Sequence, residues 1–209
     1  MRKIMLTTLA IVALASVAGA EVLWDQAEAD MSAPGFFNSE SGSPPFGMTM
    51  FTVSDIVVDD VWNVTTITTY WSILDEGFAN LTEGYLHVFP KTGPLPADTD
   101  DPTLSALVPM SATVEMNIGT LVCGDLDLGL EPGEYWIGIT PIAAAPFGPE
   151  VHLSSTINWG DASPSYDPYG MPLGWMNFTP DHDATILIEG AVTVATEAKS
   201  LTDVKTLFR

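Results

Sequence analysis

The run Val64-Thr65-Thr66-Ile67-Thr68-Thr69-Tyr70-Trp71 is almost wholly β-branched or aromatic. Such residues lose χ1 freedom in a helix and pack well on a pleated, half-buried surface, so this segment is a strand that needs partners. The rest of the chain supplies them as short alternating or β-branched runs punctuated by Gly, Pro, Asn and Asp. The pattern predicts strands near 22–24, 48–53, 62–73, 84–89, 112–118, 134–140, 151–158 and 184–194. Many short strands between turn signals predict an all-β fold, an antiparallel sandwich or barrel. Pro132-Gly133 predicts a type II turn, with Pro fixing φ and Gly taking the positive φ, and the strand that follows is expected to be central.

The N-terminus has a different character. Met1-Arg2-Lys3, an apolar run over 4–17 and then Ala18-Gly19-Ala20 form the charged, apolar and small-residue regions of a secretory signal peptide, too short for a spanning helix. Residues 1–20 are therefore expected to be removed, leaving a secreted protein without a membrane span. Glu21 follows the cleavage site, so the cysteine that would carry a bacterial lipid anchor is missing there. Residues 21–190 are expected to form one sandwich domain, and 191–209 a separate tail.

Loss of the signal peptide leaves four basic side chains, Lys91, Lys199, Lys205 and Arg209, in a chain with 27 acidic ones. That balance excludes a basic nucleic-acid footprint and opposes adhesion to anionic lipid. Cys123 is the single cysteine, so no internal disulfide can form and the fold must stand on its core. Its apolar neighbours Leu121 and Val122 read it as a small buried hydrophobe.

Three of the four remaining basic residues lie in the tail. Ser200 can cap a short helix there, with Leu201, Val204, Leu207 and Phe208 on one face and Lys205 and Arg209 in the last turn, where they oppose the helix dipole.

No H-E-x-x-H helix, G-x-S-x-G elbow or Gly-rich phosphate loop occurs, so the familiar hydrolase signatures are absent. Two loops carry the residues best suited to a ligand. Trp159, Tyr166, Tyr169 and Trp175 fall within 158–178, and their flat apolar faces with polar edges suit sugar rings; the same aromatics could instead close one end of the sandwich. Asp98, Asp100 and Asp101 place three carboxylates in another loop. Calcium takes such oxygen ligands, although the spacing is not that of an EF-hand and a solvated acidic loop is the simpler reading. Asp181-His182-Asp183 is a second, weaker cation candidate.

Several packing motifs carry a resemblance. The opening Val22-Leu23-Trp24-Asp25, the segment Ser54-Asp55-Ile56-Val57-Val58 leading into Trp62-Asn63-Val64, the Pro132-Gly133-Glu134-Tyr135-Trp136-Ile137 strand, and Trp175 followed by Ala184-Thr185-Ile186-Leu187-Ile188-Glu189-Gly190 resemble secreted bacterial β-sandwich proteins. The ending Asp203-Val204-Lys205-Thr206-Leu207-Phe208-Arg209 is similar to short sorting or attachment tails on secreted bacterial proteins, although the Trp-Gly that often opens them is missing. The resemblance implies a jelly-roll-like sandwich and brings no activity. The expectation is a non-enzymatic structural or adhesive protein at the cell surface or in extracellular matrix, with cell-surface components, polysaccharide or copies of itself as partners. A carbohydrate-binding module using the aromatic loop is the alternative, and a glycoside hydrolase with a carboxylate pair is third.

Overall fold

The computed structural model describes residues 20–41, 49–73, 77–143, 151–167, 172–177, 179 and 181–193. The segment before Ala20, where a signal peptide is expected, Tyr169 and the tail beyond Thr193 lie outside the described residues. In chain order the strands are β1 (Glu21–Gln26), β2 (Phe36–Phe37), β3 (Ser39–Ser41), β4 (Thr49–Thr52), β5 (Ser54–Val58), β6 (Trp62–Ser72), β7 (Glu83–Pro90), β8 (Ala106–Pro109) and β9 (Ser111–Glu115). They continue as β10 (Ile118–Cys123), β11 (Leu128–Leu130), β12 (Gly133–Ala143), β13 (Val151–His152), β14 (Ser165–Tyr166), β15 (Trp175–Met176) and β16 (Ile186–Val192). Single 3-10 turns at Phe78–Asn80 and Pro102–Leu104 are the helical elements among them. No helix among the described residues is long and apolar enough to cross a membrane.

Two mostly antiparallel sheets form the all-β sandwich. The first runs β1-β16-β6-β10-β9, with β11 and β13 also on β6; the second runs β15-β14-β4-β3-β12-β7-β8, with β5 also on β12. Each sheet is organised on one eleven-residue strand. β6 sends Trp62 and Val64 into the core, then Ile67 and Trp71, so the inward parity changes in mid-strand. A bulge makes the change: Val64 faces Gly190 and Thr66 faces Glu189, which leaves Thr65 as the extra residue. From the opposite sheet β12 contributes Ile137, Ile139 and Ala143, β5 contributes Ile56 and Val58, and Cys123 is packed among them. Burial pushes the Cys123 thiol up to about 11, which keeps it protonated and inert.

β12 is central, with β7 on one side and β5 on the other. The expected type II turn before it is not formed. Gly133 is the first residue of the strand, opposite Val58, and the described glycines with positive φ are Gly160 and Gly174. The segment 112–118, read as one strand, is a hairpin. β9 ends at Glu115, Met116 and Asn117 turn with φ of 49° and 66°, and Ile118 pairs back with Glu115 in β10. Both positive values fit the type I′ turn, which suits right-twisted strands. Of 151–158, Val151 and His152 form a strand, followed by isolated bridges at Ser154 and Ser155.

Candidate functional site

Lys91 is the only Lys or Arg among the described residues. It stands just beyond β7, where its N–H donates to Glu134 O and prolongs the ladder with β12. Trp136 on β12 faces Phe89 of β7 on one side and Asp55 of β5 on the other. Ile56 and Ile137 next to them point into the core, so Asp55 and Trp136 occupy the outer face of the sheet. The Lys91 side chain arches over the Trp136 ring, with Nζ 4.9 Å from its centroid, and ends 2.8 Å from Asp55 Oδ2. A second carboxylate, Asp161 Oδ2, lies 2.9 Å from Nζ, and Glu134 Oε2 lies 3.9 Å away.

This charge cluster is covered. The Lys91 and Asp55 side chains are 10% and 5% exposed, whereas Asp161 is 41% exposed. The loop over it is fixed by Asp161 N–H donating to Asp55 Oδ2 at 3.0 Å. Burial alone would lower the Lys91 pKa, but the hydrogen bonds and charges of Asp55 and Asp161 outweigh it and hold the ammonium above its ordinary value. Among the described residues, Asp55 Oδ1 and Trp136 Nε1 are buried without a hydrogen-bond partner.

Beside this cluster lies a second buried carboxylate. Asp183 accepts from Trp159 N–H at 2.7 Å, from Gln26 Nε2 at 3.0 Å and from Ser163 Oγ at 3.4 Å. Burial pushes its pKa up to about 6; the hydrogen bonds pull the other way and the Asp55 charge adds to the rise.

The two buried histidines form a different kind of network. His152 Nε2 is 2.7 Å from Thr185 O and must donate to it, so Nδ1 accepts from Asn38 Nδ2 at 3.3 Å. Thr140 donates to Asn38 Oδ1 at 2.6 Å, so it accepts from His87 Nε2 at 2.9 Å, and His87 Nδ1 accepts a hydrogen bond from the Ser105 hydroxyl at 2.7 Å. This one assignment satisfies every link and makes both rings neutral. Burial drives the His87 pKa down to about 3 and that of His152 to about 4, the latter against its bond to Thr185. The chain of bonds locks polar groups inside the sandwich and presents no exposed nucleophile or base.

The aromatic residues divide between two places. Trp159 is 55% exposed and packs against Trp24, ring centroids 5.7 Å apart. Tyr166 and Trp175 face each other across β14 and β15, 5.2 Å between centroids. Trp175 also meets Phe89 and donates Nε1–H to Asp100 O at 2.9 Å. The aromatic and acidic loops therefore touch, beside a surface cleft of about 410 Å³ lined in part by Phe89, Asp100, Asp101 and Leu104.

The acidic loop uses its carboxylates locally. Asp100 Oδ2 accepts from Ala97 N–H, and Asp101 Oδ1 accepts from the Thr103 N–H and hydroxyl as cap of the 3-10 turn. Asp98 is exposed. No group of three or more His, Cys, Asp or Glu is placed to hold a metal among the described residues. In Asp181-His182-Asp183, Asp181 takes a positive φ of 68° and only Asp183 is fully buried.

Nothing matches this chain among protein-family models, curated proteins or solved structures. The function must be argued from the chain itself. Sequence reasoning did not reach Asp55, Asp161 or the role of Lys91. The available signal was a solitary lysine just after a strand, in a domain otherwise stripped of cations.

Proposed function

We propose that the protein is a secreted, acidic β-sandwich with a structural or adhesive role at the cell surface or in extracellular matrix, and that it is not an enzyme. The signal-peptide pattern and the resemblance to secreted bacterial sandwiches support the location. The observation that carries the role is a continuous edge that is open among the described residues. β8 borders one sheet and pairs with β7, while β9 borders the other and pairs with β10. Met110 turns the corner between them, so residues 106–115 present edge backbone to both sheets.

Edge strands invite pairing with another chain unless Lys, Pro or inward charges blunt them. This edge carries Pro109 at the corner and Glu115 at its end, and no other charge. Leu107 and Val114 are 55% and 45% exposed on it, beside Met116 at 86%. A chain with 27 acidic residues repels its copies over most of its surface; an edge nearly free of charge is where two copies can meet. Analytical ultracentrifugation of the protein and of Leu107→Lys and Val114→Lys variants tests the reading. Concentration-dependent oligomers that both variants reduce to monomers are expected. A wild-type protein that stays monomeric at all concentrations would remove the support for self-assembly.

A carbohydrate-binding role is the second reading, favoured by the exposed Trp159 ring and by Trp175, which packs on Phe89 and bonds Asp100 O behind the surface cleft that those two residues line. A pull-down on insoluble polysaccharides that Trp175→Ala abolishes would bring it forward.

A further inference from the structure

We propose that Lys91 and Asp55 become joined by an amide bond that staples β7 to β5 across the intervening strand β12. Three observations meet at this pair. The nucleophile and electrophile are already in contact, Nζ 2.8 Å from Asp55 Oδ2, so the carboxyl carbon lies at most one C–O bond further away. Pre-placed groups react as if at very high concentration, because the entropy of bringing them together has been met by folding. Both side chains are at least nine-tenths buried, with the Trp136 ring beneath the lysine. A third carboxyl, Asp161, touches Nζ at 2.9 Å and opens partly to solvent, which suits it to carry a proton.

The orphaned oxygen supplies the direction. Asp55 Oδ1 is buried with no partner among the described residues, and such a place is costly for an ionised carboxylate, as withdrawal from water is for an ion pair. The condensed product carries no charge, and its neutral carbonyl suits that site better.

The step balances without an oxidant or a co-reactant. Asp161 Oδ2 takes one proton from the Lys91 ammonium and passes it to the Asp55 carboxylate. The freed amine attacks Cγ of the resulting acid, forming the N–C bond. A second proton moves from nitrogen to the departing hydroxyl as the C–O bond breaks. One amide and one water result, and Asp161 ends as it began. It acts as a general acid–base group, and Trp136 supplies the apolar floor.

Mass spectrometry of the folded, purified full chain tests the proposal, with Lys91→Arg as reference because a guanidinium keeps the charge pair but does not make this bond. After correction for the substitution, the wild-type protein is expected to be lighter than the reference by one water. Its protease digest is expected to contain a branched peptide joining the Lys91 side chain to Asp55. Asp161→Asn is expected to accumulate the unlinked mass while retaining the fold by circular dichroism. Folded wild-type protein of full mass with unbranched peptides after prolonged incubation would overturn the proposal; Asp161→Asn linking at the wild-type rate would overturn the assigned proton carrier.

Discussion

Lys91 reaches Asp55 under a loop that only a glycine lets close. Gly160 has φ of 53°, and a Cβ there would overlap Asp55 Oδ2, the oxygen that receives both Lys91 and Asp161 N–H. Gly160→Ala must therefore meet the strain of a left-handed backbone and also displace the carboxylate. We expect it to lower the unfolding free energy by about 1–3 kcal/mol, measured by denaturant titration. Gly174 provides the control, having φ of 70° with open space around it. Alanine there meets the backbone strain alone, so equal losses at the two positions would show that contact with Asp55 is not what excludes a side chain from Gly160.

At the scale of elements, the bulge in β6 decides which side chains reach the core. It also brings two backbones close together: a Cβ on Gly190 would overlap Asn63 O and crowd Val64 Cα. Gly190→Ala is expected to cost about 2 kcal/mol or more, because the clash is with backbone that belongs to the central strand. Thermal unfolding checks the loss, and amide exchange in β6 and β16 should quicken first; an unchanged melting temperature would mean that the strands separate freely at the bulge. Residues 62–72 were legible as a strand because β-branched and aromatic side chains favour it at every position but Asn63 and Ser72. The bulge was not, because Thr65 and Thr66 fit either face and hide the change of parity. The Met116-Asn117 turn was equally silent, since the first of its two left-handed positions carries Met, where Gly or Asn would have signalled it. The short strands β2, β3, β14 and β15 have two or three residues each, too few for a period to show, and they are set by the sheet they join. The candidate site was less legible still. Asp55, Lys91 and Asp161 come from three separated segments: the β5-β12-β7 order brings the first two together, and the loop between β13 and β14 lays Asp161 on them.

For the whole molecule, the buried titratable groups make opposing demands on pH. His87 and His152 are held neutral, at about 3 and about 4 against an ordinary 6.5. Their contribution is fully present above about pH 6.5 and is lost as the pH falls towards those values, because the unfolded chain binds protons that the folded chain refuses. Asp183, raised from 3.8 to about 6, acts in the reverse sense. Its contribution is complete below about pH 3.8 and is lost as the pH rises through about 6, because the folded chain then holds a proton that the unfolded chain has released. Between about pH 4.5 and 5.5, two protons favour the unfolded state and one the folded state, so these three groups make stability rise with pH by the slope of about one net proton. Asp183→Asn removes the opposing proton, and the slope from the remaining pair becomes roughly twice as steep. The exposed carboxylates contribute alike to both proteins and cancel in the difference. Denaturant unfolding at several pH values across this window should therefore give a steeper rise for the variant, whatever its absolute stability. Parallel lines would mean that Asp183 is ionised in the fold, and that its bonds from Trp159, Gln26 and Ser163 outweigh its burial.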